Sequence, residues 1–180
     1  MKKLIFSALS CFTLIICLTM SSCIKDTPFD FTMDLGTVTF TVDTTSTTGV
    51  KTFTAHVYTS DLEAQLNNVG ASLQDLSSVK LKYCIATILT PGITFDIVDY
   101  GEAYISALSL PSAKIAYKAP IAHDGSTTIS LDNNYAELAE YAKQSNFTID
   151  LKGYCNTPIL NPIDMKMDCA LHVSGIIKGK

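Results

Sequence analysis

From residue 29 onward, apolar side chains recur at every second position, the period of a strand with one buried face. Phe29, Phe31, Met33 and Leu35 alternate with Asp30, Thr32 and Asp34. Gly36 breaks the phase and Val38, Phe40 and Val42 resume it, so a bulge or a turn is expected at Gly36-Thr37. After a polar loop over residues 44–49, Phe53, Ala55 and Val57 form a returning strand, and the two strands predict a hairpin. Val79, Leu81, Tyr83 and Ile85 share one phase, with Lys80, Lys82 and Cys84 on the other. Pro91-Gly92 turns the chain into a strand carrying Ile93, Phe95 and Ile97. Further strands are expected over residues 103–108, 115–118 and 127–131, and around Phe147, Ile149 and Leu151. The last, over residues 165–177, points Met165, Met167, Cys169, Leu171 and Val173 inward, with Lys166, Asp168 and His172 outward.

Two segments change period. Ser60-Asp61-Leu62-Glu63 reads as a capping box opening a short helix with Leu62, Leu66 and Val69 on one face, ended by Gly70. Asn134-Tyr135-Ala136-Glu137 predicts the cap of a second helix that buries Tyr135, Leu138, Ala139 and Ala142, with Lys143 at its negative end. Nine or ten short strands with helices only as crossovers predict an all-β fold: a two-layer antiparallel β-sandwich with two short crossover helices. An open β-barrel is the alternative.

The first 22 residues follow a different logic. Lys2 and Lys3 precede an apolar run that closes on small residues before Cys23, the layout of an export leader. Ser10 and Thr13 interrupt the run, which is short for a bilayer crossing. Met20-Ser21-Ser22-Cys23 resembles a bacterial lipobox, with Met where Leu is commonest and the acceptor cysteine in place. The expected organisation is a leader over residues 1–22, a lipidated tether over 23–28 and one domain over 29–180. Five extended tether residues reach roughly 17 Å, which holds the domain close to its membrane.

Loss of Lys2 and Lys3, with no acid beside them, takes the formal charge from −4 to −6. Every basic residue is lysine and none clusters, so the bidentate phosphate contacts of arginine are missing and a nucleic-acid partner is not expected. Of six cysteines, Cys11 and Cys17 leave with the leader and Cys23 takes lipid, which leaves Cys84, Cys155 and Cys169. Three thiols allow at most one disulfide. A hairpin turning at Pro158–Pro162 would set Cys155 near Ile163 and Cys169 near Ile149, too far apart to bridge each other.

Candidate chemistry is sparse. His56 and His172 alternate with inward residues and read as surface positions. His123-Asp124-Gly125-Ser126 offers base, acid and nucleophile, but neighbours in one turn cannot converge as a relay, and the segment reads as an Asp-Gly turn. Asp96, Asp99 and Glu102 flank a turn and are the candidate Ca²⁺ ligands, without the regular loop spacing of a calcium-binding hand. Tyr100, Tyr104 and Tyr117 lie near strand ends or on adjacent strands, where their rings could form a platform for a sugar or peptide. No cofactor motif is present.

The run Phe95-Asp96-Ile97-Val98-Asp99-Tyr100-Gly101-Glu102-Ala103-Tyr104-Ile105, then Lys114-Ile115-Ala116-Tyr117, then residues 138–148, is similar to small β-sandwich lipoproteins of Bacteroidetes of unassigned function. The resemblance implies an all-β lipoprotein associated with the outer membrane, and it carries over one functional residue, Cys23. The resulting expectation is a membrane-anchored, non-enzymatic binding or envelope-assembly module. Recognition of a glycan or small amphiphile is the rival within binding, and a hydrolase whose residues converge only in the fold is the rival from another class. Cleavage before Cys23 and triacylation there should appear in the intact mass of membrane-extracted protein. An unmodified Cys23, or an N-terminus elsewhere, would refute the anchor.

Overall fold

Alternation of apolar and polar residues yields nine strands in two antiparallel sheets in the computed structural model, which describes residues 25–59 and 61–179. The strands are β1 (Thr27–Val42), β2 (Gly49–Thr59), β3 (Leu76–Ile88), β4 (Val98–Ala107), β5 (Leu110–Lys118), β6 (Thr128–Ser130), β7 (Asp132–Asn133), β8 (Asn146–Cys155) and β9 (Ile163–Ile177). One sheet runs β1-β9-β3-β6 and the other β2-β8-β4-β5-β7. The sheets form a sandwich and not a closed barrel. Pro28–Ile177 makes up one packed unit. In the terminal segments, the Gly179 N–H donates to the Asp26 carboxylate at 3.1 Å. The leader and Cys23 lie outside the described residues.

Strand order corrects two expected hairpins. β1 and β2 belong to different sheets, so the polar loop between them carries the chain across the sandwich instead of folding it back. β8 and β9 also separate: Cys155 sits opposite Gly49 and Val98 in the five-stranded sheet, whereas Cys169 sits opposite Cys84 in the other. Cys155 and Cys169 are not bridged to each other, but because they lie in opposite sheets and not at two ends of a hairpin. Apolar alternation reports which face of a strand is buried and is silent on which neighbour it pairs with. Among the described residues only β4 and β5 are both consecutive and paired, through a two-residue turn at Leu108-Ser109 in which Ser109 has φ of 68°.

Bulges keep the inward phase. Gly36, at φ of 76°, is a bulge within a continuous β1, with its N–H on Asp34 Oδ1 at 2.8 Å. In β3 the register slips between Leu81 and Tyr83, so Val79 and Leu81 point inward before it and Cys84, Ala86 and Ile88 after it. Tyr83 and Ile85 are therefore half-exposed and Cys84 is buried, the reverse of the uninterrupted alternation expected from sequence. Residues 93–97 also differ. Phe95–Ile97 is one turn of 3₁₀-helix, and the strand begins only at Val98, running through Gly101.

Two short helices contribute side chains to the core. Helix α1 (Leu62–Asn68) buries Leu62 and Leu66, each worth about 1.5–3 kcal/mol. Ser60 lies outside the described residues, and Asp61 makes no capping bond to the helix backbone. The C-terminus is better defined: Gly70 N–H meets Asn67 C=O at 3.0 Å and Ala71 N–H meets Leu66 C=O at 2.9 Å, the paired bonds of a Schellman stop. Val69 is left 43% exposed as the cap residue, not buried on the helix face. Helix α2 (Ala139–Ala142) is shorter than expected and does not start at Asn134. Asn134 instead closes a local turn through the Ala136 N–H at 3.1 Å and donates to the Lys114 carbonyl. Tyr135 has φ of 59° and is exposed. Glu137 does the anchoring: its carboxylate accepts from the Val79 N–H at 2.7 Å, the Ser78 hydroxyl at 2.7 Å and the Ala139 N–H at 3.1 Å. Burial alone would raise its pKa, but those three donors, together with the Leu138 N–H, outweigh it and hold the carboxyl below its ordinary value. This clip therefore acts above the ordinary carboxylate range and fades as pH falls through the lower folded value.

Between the sheets, facing Gly101, lies an apolar cavity of about 30 Å³ lined by residues including Phe53, Ile121, Leu131 and Leu151. It is large enough for water but offers it almost no polar partner, which favours a dry cavity. A methyl on Gly101 would meet Leu131 Cδ2 at 3.5 Å and Ile121 Cδ1 at 3.8 Å, ordinary contact distances. One on Gly153, which pairs with Gly101 in register, would run into the Phe53 ring at 2.5 Å and the Tyr100 carbonyl at 3.0 Å. Gly101→Ala should therefore raise stability by about 0.5–1 kcal/mol, and Gly153→Ala should lower it by about 1–3 kcal/mol. Urea unfolding of the two variants checks the pair; equal shifts of one sign would contradict this packing.

Candidate functional site

The outer face of the five-stranded sheet collects the polar and aromatic residues that alternate with its core. In β4, inward Gly101, Ala103 and Ile105 leave Tyr100, Glu102 and Tyr104 facing out. In β8, inward Ile149, Leu151 and Gly153 leave Asp150, Lys152 and Tyr154 facing out. Register sets Tyr100 opposite Tyr154, Glu102 opposite Lys152 and Tyr104 opposite Asp150. On the other side of β4, Glu102 faces Tyr117 and Tyr104 faces Lys114. Val50 of β2, 61% exposed, lies beyond Tyr154. The candidate tyrosines Tyr100, Tyr104 and Tyr117 thus share one face, and the register adds Tyr154 to them. The outward direction of Tyr154 was legible in the alternation around Ile149 and Leu151. The missing information was that β8 lies beside β4.

The tyrosines are held in two different ways. The Tyr100 and Tyr154 rings are stacked, with centroids 5.9 Å apart and planes 25° from parallel. Tyr104 sits within an ionic cluster: its hydroxyl donates to Glu102 Oε2 at 2.8 Å, while Lys114 Nζ donates to Glu102 Oε1 at 2.5 Å. Lys152 Nζ lies 4.5 Å from the centre of the Tyr104 ring and Lys114 Nζ 5.8 Å from it, both within cation–π range. The Lys114 hydrogen bond, aided by that of Tyr104, lowers the Glu102 pKa below the ordinary carboxylate value. The same carboxylate, as acceptor, raises the Tyr104 pKa and that of Lys114. At neutral pH the face therefore presents a fixed carboxylate, two ammonium groups and rings of restricted orientation. Tyr117 is 45% exposed and completes the aromatic surface.

The other candidate residues do not assemble. Asp96 Oδ1 accepts from the Gly125 N–H at 3.0 Å, and Asp99 Oδ1 accepts from Asn156 Nδ2 at 2.6 Å, while Glu102 is engaged by Lys114. Each carboxylate answers a different donor, and among the described residues no group of three His, Cys, Asp or Glu could hold a metal ion. His123 Nε2 lies 3.4 Å from Asp99 Oδ1, both side chains about half exposed. Ser126 Oγ donates to the Thr128 carbonyl at 2.7 Å, and Asp124 accepts from the Ser126 N–H at 3.0 Å. That is the hydrogen bonding of a turn, and the segment forms no nucleophile–base pair. His172 is half-buried opposite Lys80. The side chain of His56 lies outside the described residues. Among the described residues no polar or charged residue is buried, and no helix is long and apolar enough to cross a membrane.

Compared with known proteins, the chain matches no family model and no curated sequence. Replacing Glu102 with Ala should remove the acceptor that raises the Tyr104 pKa, so Tyr104 should ionise closer to the ordinary value of about 10. NMR of ¹³Cζ-labelled tyrosine across an alkaline titration reads this directly; an unchanged Tyr104 midpoint would contradict the Glu102–Tyr104 bond.

Proposed function

We propose that this chain is a non-enzymatic binding module, lipid-anchored through Cys23 to the bacterial outer membrane, and that the outer face of its five-stranded sheet recognises a neutral glycan. The observation that carries the reading is the set of Tyr100, Tyr154, Tyr104 and Tyr117 on one open sheet face, interleaved with Glu102, Lys114 and Lys152. Aromatic rings with a wet hydroxyl suit the apolar faces of sugar rings. The adjoining carboxylate and ammonium groups supply acceptor and donors for sugar hydroxyls. Because opposite charges are already paired across the face, it favours a neutral ligand over a strongly charged one.

Two rivals are less well supported. An amphiphile with an alkyl chain needs an apolar pocket of several hundred Å³; the cavity between the sheets is about 30 Å³, and the larger hollows beside Phe29 and Ile176 (about 510 Å³) and beside Ile93 and Leu160 (about 370 Å³) are open surface clefts with a more polar lining. A hydrolase needs a nucleophile and base within hydrogen-bond reach, and Ser126 bonds to Thr128 while His123 faces Asp99. The short segment between Cys23 and the start of β1 at Thr27 would hold such a module near the membrane, where it meets envelope or extracellular polysaccharide.

Titration with a panel of neutral oligosaccharides, followed by backbone amide shifts, should move Tyr100, Tyr117, Lys152 and Tyr154 and leave the four-stranded sheet unmoved. Replacing Tyr100 and Tyr154 together with Ala should weaken that binding at least 10-fold, in line with the loss of about 1.5–3 kcal/mol of ring contact. Binding that survives the double substitution, or shifts confined to another face, would refute this assignment.

A further inference from the structure

Cys84 and Cys169 are direct partners in the β3–β9 ladder, 85 residues apart in sequence and both fully buried. The Cys84 carbonyl accepts from the Leu131 N–H at 2.9 Å, on the side of β3 that faces away from β9. The two cysteines therefore occupy a site with no ladder hydrogen bonds between them, where opposed Cα atoms come to about 4.5 Å and side chains are closest. That spacing falls at the near end of the range a disulfide spans. The Sγ atoms are 3.0 Å apart, about 1 Å beyond the covalent S–S length of about 2.05 Å. Cys155, the third buried thiol, lies in the opposite sheet between Gly49 and Val98. The bulge between Leu81 and Tyr83 turns Cys84 inward toward this partner; without it, Cys84 would face solvent on the other side of the sheet from Cys169.

We infer that Cys84 and Cys169 form a structural disulfide within the four-stranded sheet, made while the chain folds in a compartment that supplies disulfide oxidants. The step is two thiol–disulfide exchanges with a small-molecule or protein disulfide. One cysteine thiolate attacks a donor sulfur, breaking the donor S–S bond and releasing one donor thiolate. The second cysteine thiolate then attacks the first cysteine's sulfur in the mixed disulfide and releases the other donor thiolate. The Cys84–Cys169 bond forms, the two cysteine protons pass to the two released thiolates, and the donor disulfide is reduced as the dithiol is oxidised. Timing follows from burial. In the closed fold the Cys169 thiol donates to Cys84 and is shielded from water, and both effects push its pKa up, so the thiolate is scarce and out of reach. Oxidation belongs to the stage when β3 and β9 have paired and the second sheet has not yet covered them. Once closed, the same burial protects the bond from reductants. This inference does not rest on the glycan-binding face.

The sequence makes the test clean, because trypsin cuts here only after lysine. Cys84 falls in peptide 83–114, Cys169 in 167–178, Cys155 in 153–166, and Cys11, Cys17 and Cys23 together in 4–25. The full chain is synthesised cell-free in a glutathione/glutathione disulfide buffer, alkylated, and digested without reduction. The expected result is a linked 83–114/167–178 species, two hydrogens lighter than the separate peptides, with 153–166 carrying the alkyl group. Reductant should collapse the linked peptides, and a chain unfolded and refolded under reductant should melt roughly 10 °C below the oxidised chain. In the Cys84→Ala/Cys169→Ala chain, reductant should shift nothing. Recovery of 83–114 and 167–178 as separate alkylated peptides, or of either linked to 153–166 or 4–25, would overturn the inference.

Discussion

The apolar inner faces of the two sheets must meet without a break, and the rest of the structure follows from that constraint. A one-residue slip in a strand exchanges its buried and exposed faces. β3 shows the consequence: without its bulge, Cys84, Ala86 and Ile88 would turn to solvent. Ile88 alone is worth about 1.5–3 kcal/mol of burial, whereas a disrupted ladder hydrogen bond costs about 1 kcal/mol. Burial wins, and the bulge is retained. Gly36 in β1 and the register shift beside Phe53 in β2 are further places where the ladder yields so that the core stays continuous. At Phe53 the extra residue sends its ring over Gly153, which explains why a glycine is required there.

The same constraint creates the candidate site. Once Ala103, Ile105, Leu151 and Gly153 face inward, the alternate positions of β4 and β8 must face out. Neighbouring strands then align Tyr100 with Tyr154 and Glu102 with Lys152. The ionic cluster around Tyr104 and the stacked pair beside it are both products of register, so a change in pairing would disperse them. In the other sheet, the inner side of the β3–β9 register yields the Cys84–Cys169 pair. One feature lies on the exposed surface and the other in the core, and both depend on strand pairing more than on local sequence.

Sequence reading recovered what period 2 encodes. The all-β class, the inward set of β9 from Met165 to Val173 and the core of β8 were legible because each is an uninterrupted alternation. It erred where phase changes or pairing decide the outcome. The inward turn of Cys84 depends on a bulge beside Lys82 that carries no glycine or proline to announce it. The expected β1–β2 and β8–β9 hairpins failed because consecutive strands here cross between sheets, a choice no local pattern records. The helix expected at Asn134 failed because Asn134 serves a turn, and its neighbour Tyr135 adopts a left-handed conformation incompatible with a helical first turn. The grouping of Tyr100, Tyr104 and Tyr117 was foreseen as proximity on adjacent strands. Tyr154 and Lys152 were not, since joining them requires knowing that β8 lies beside β4.

The central claim is that phase-correcting bulges and sheet-crossing connections set this register. Cross-strand NMR contacts between Hα protons test it most directly, since they are strong only between residues directly opposed at sites without ladder hydrogen bonds. The account predicts a strong Hα–Hα contact between Cys84 and Cys169, and none between β8 and β9. A contact joining Cys155 to Ile163, as a β8–β9 hairpin would give, together with absence of the Cys84–Cys169 contact, would contradict it.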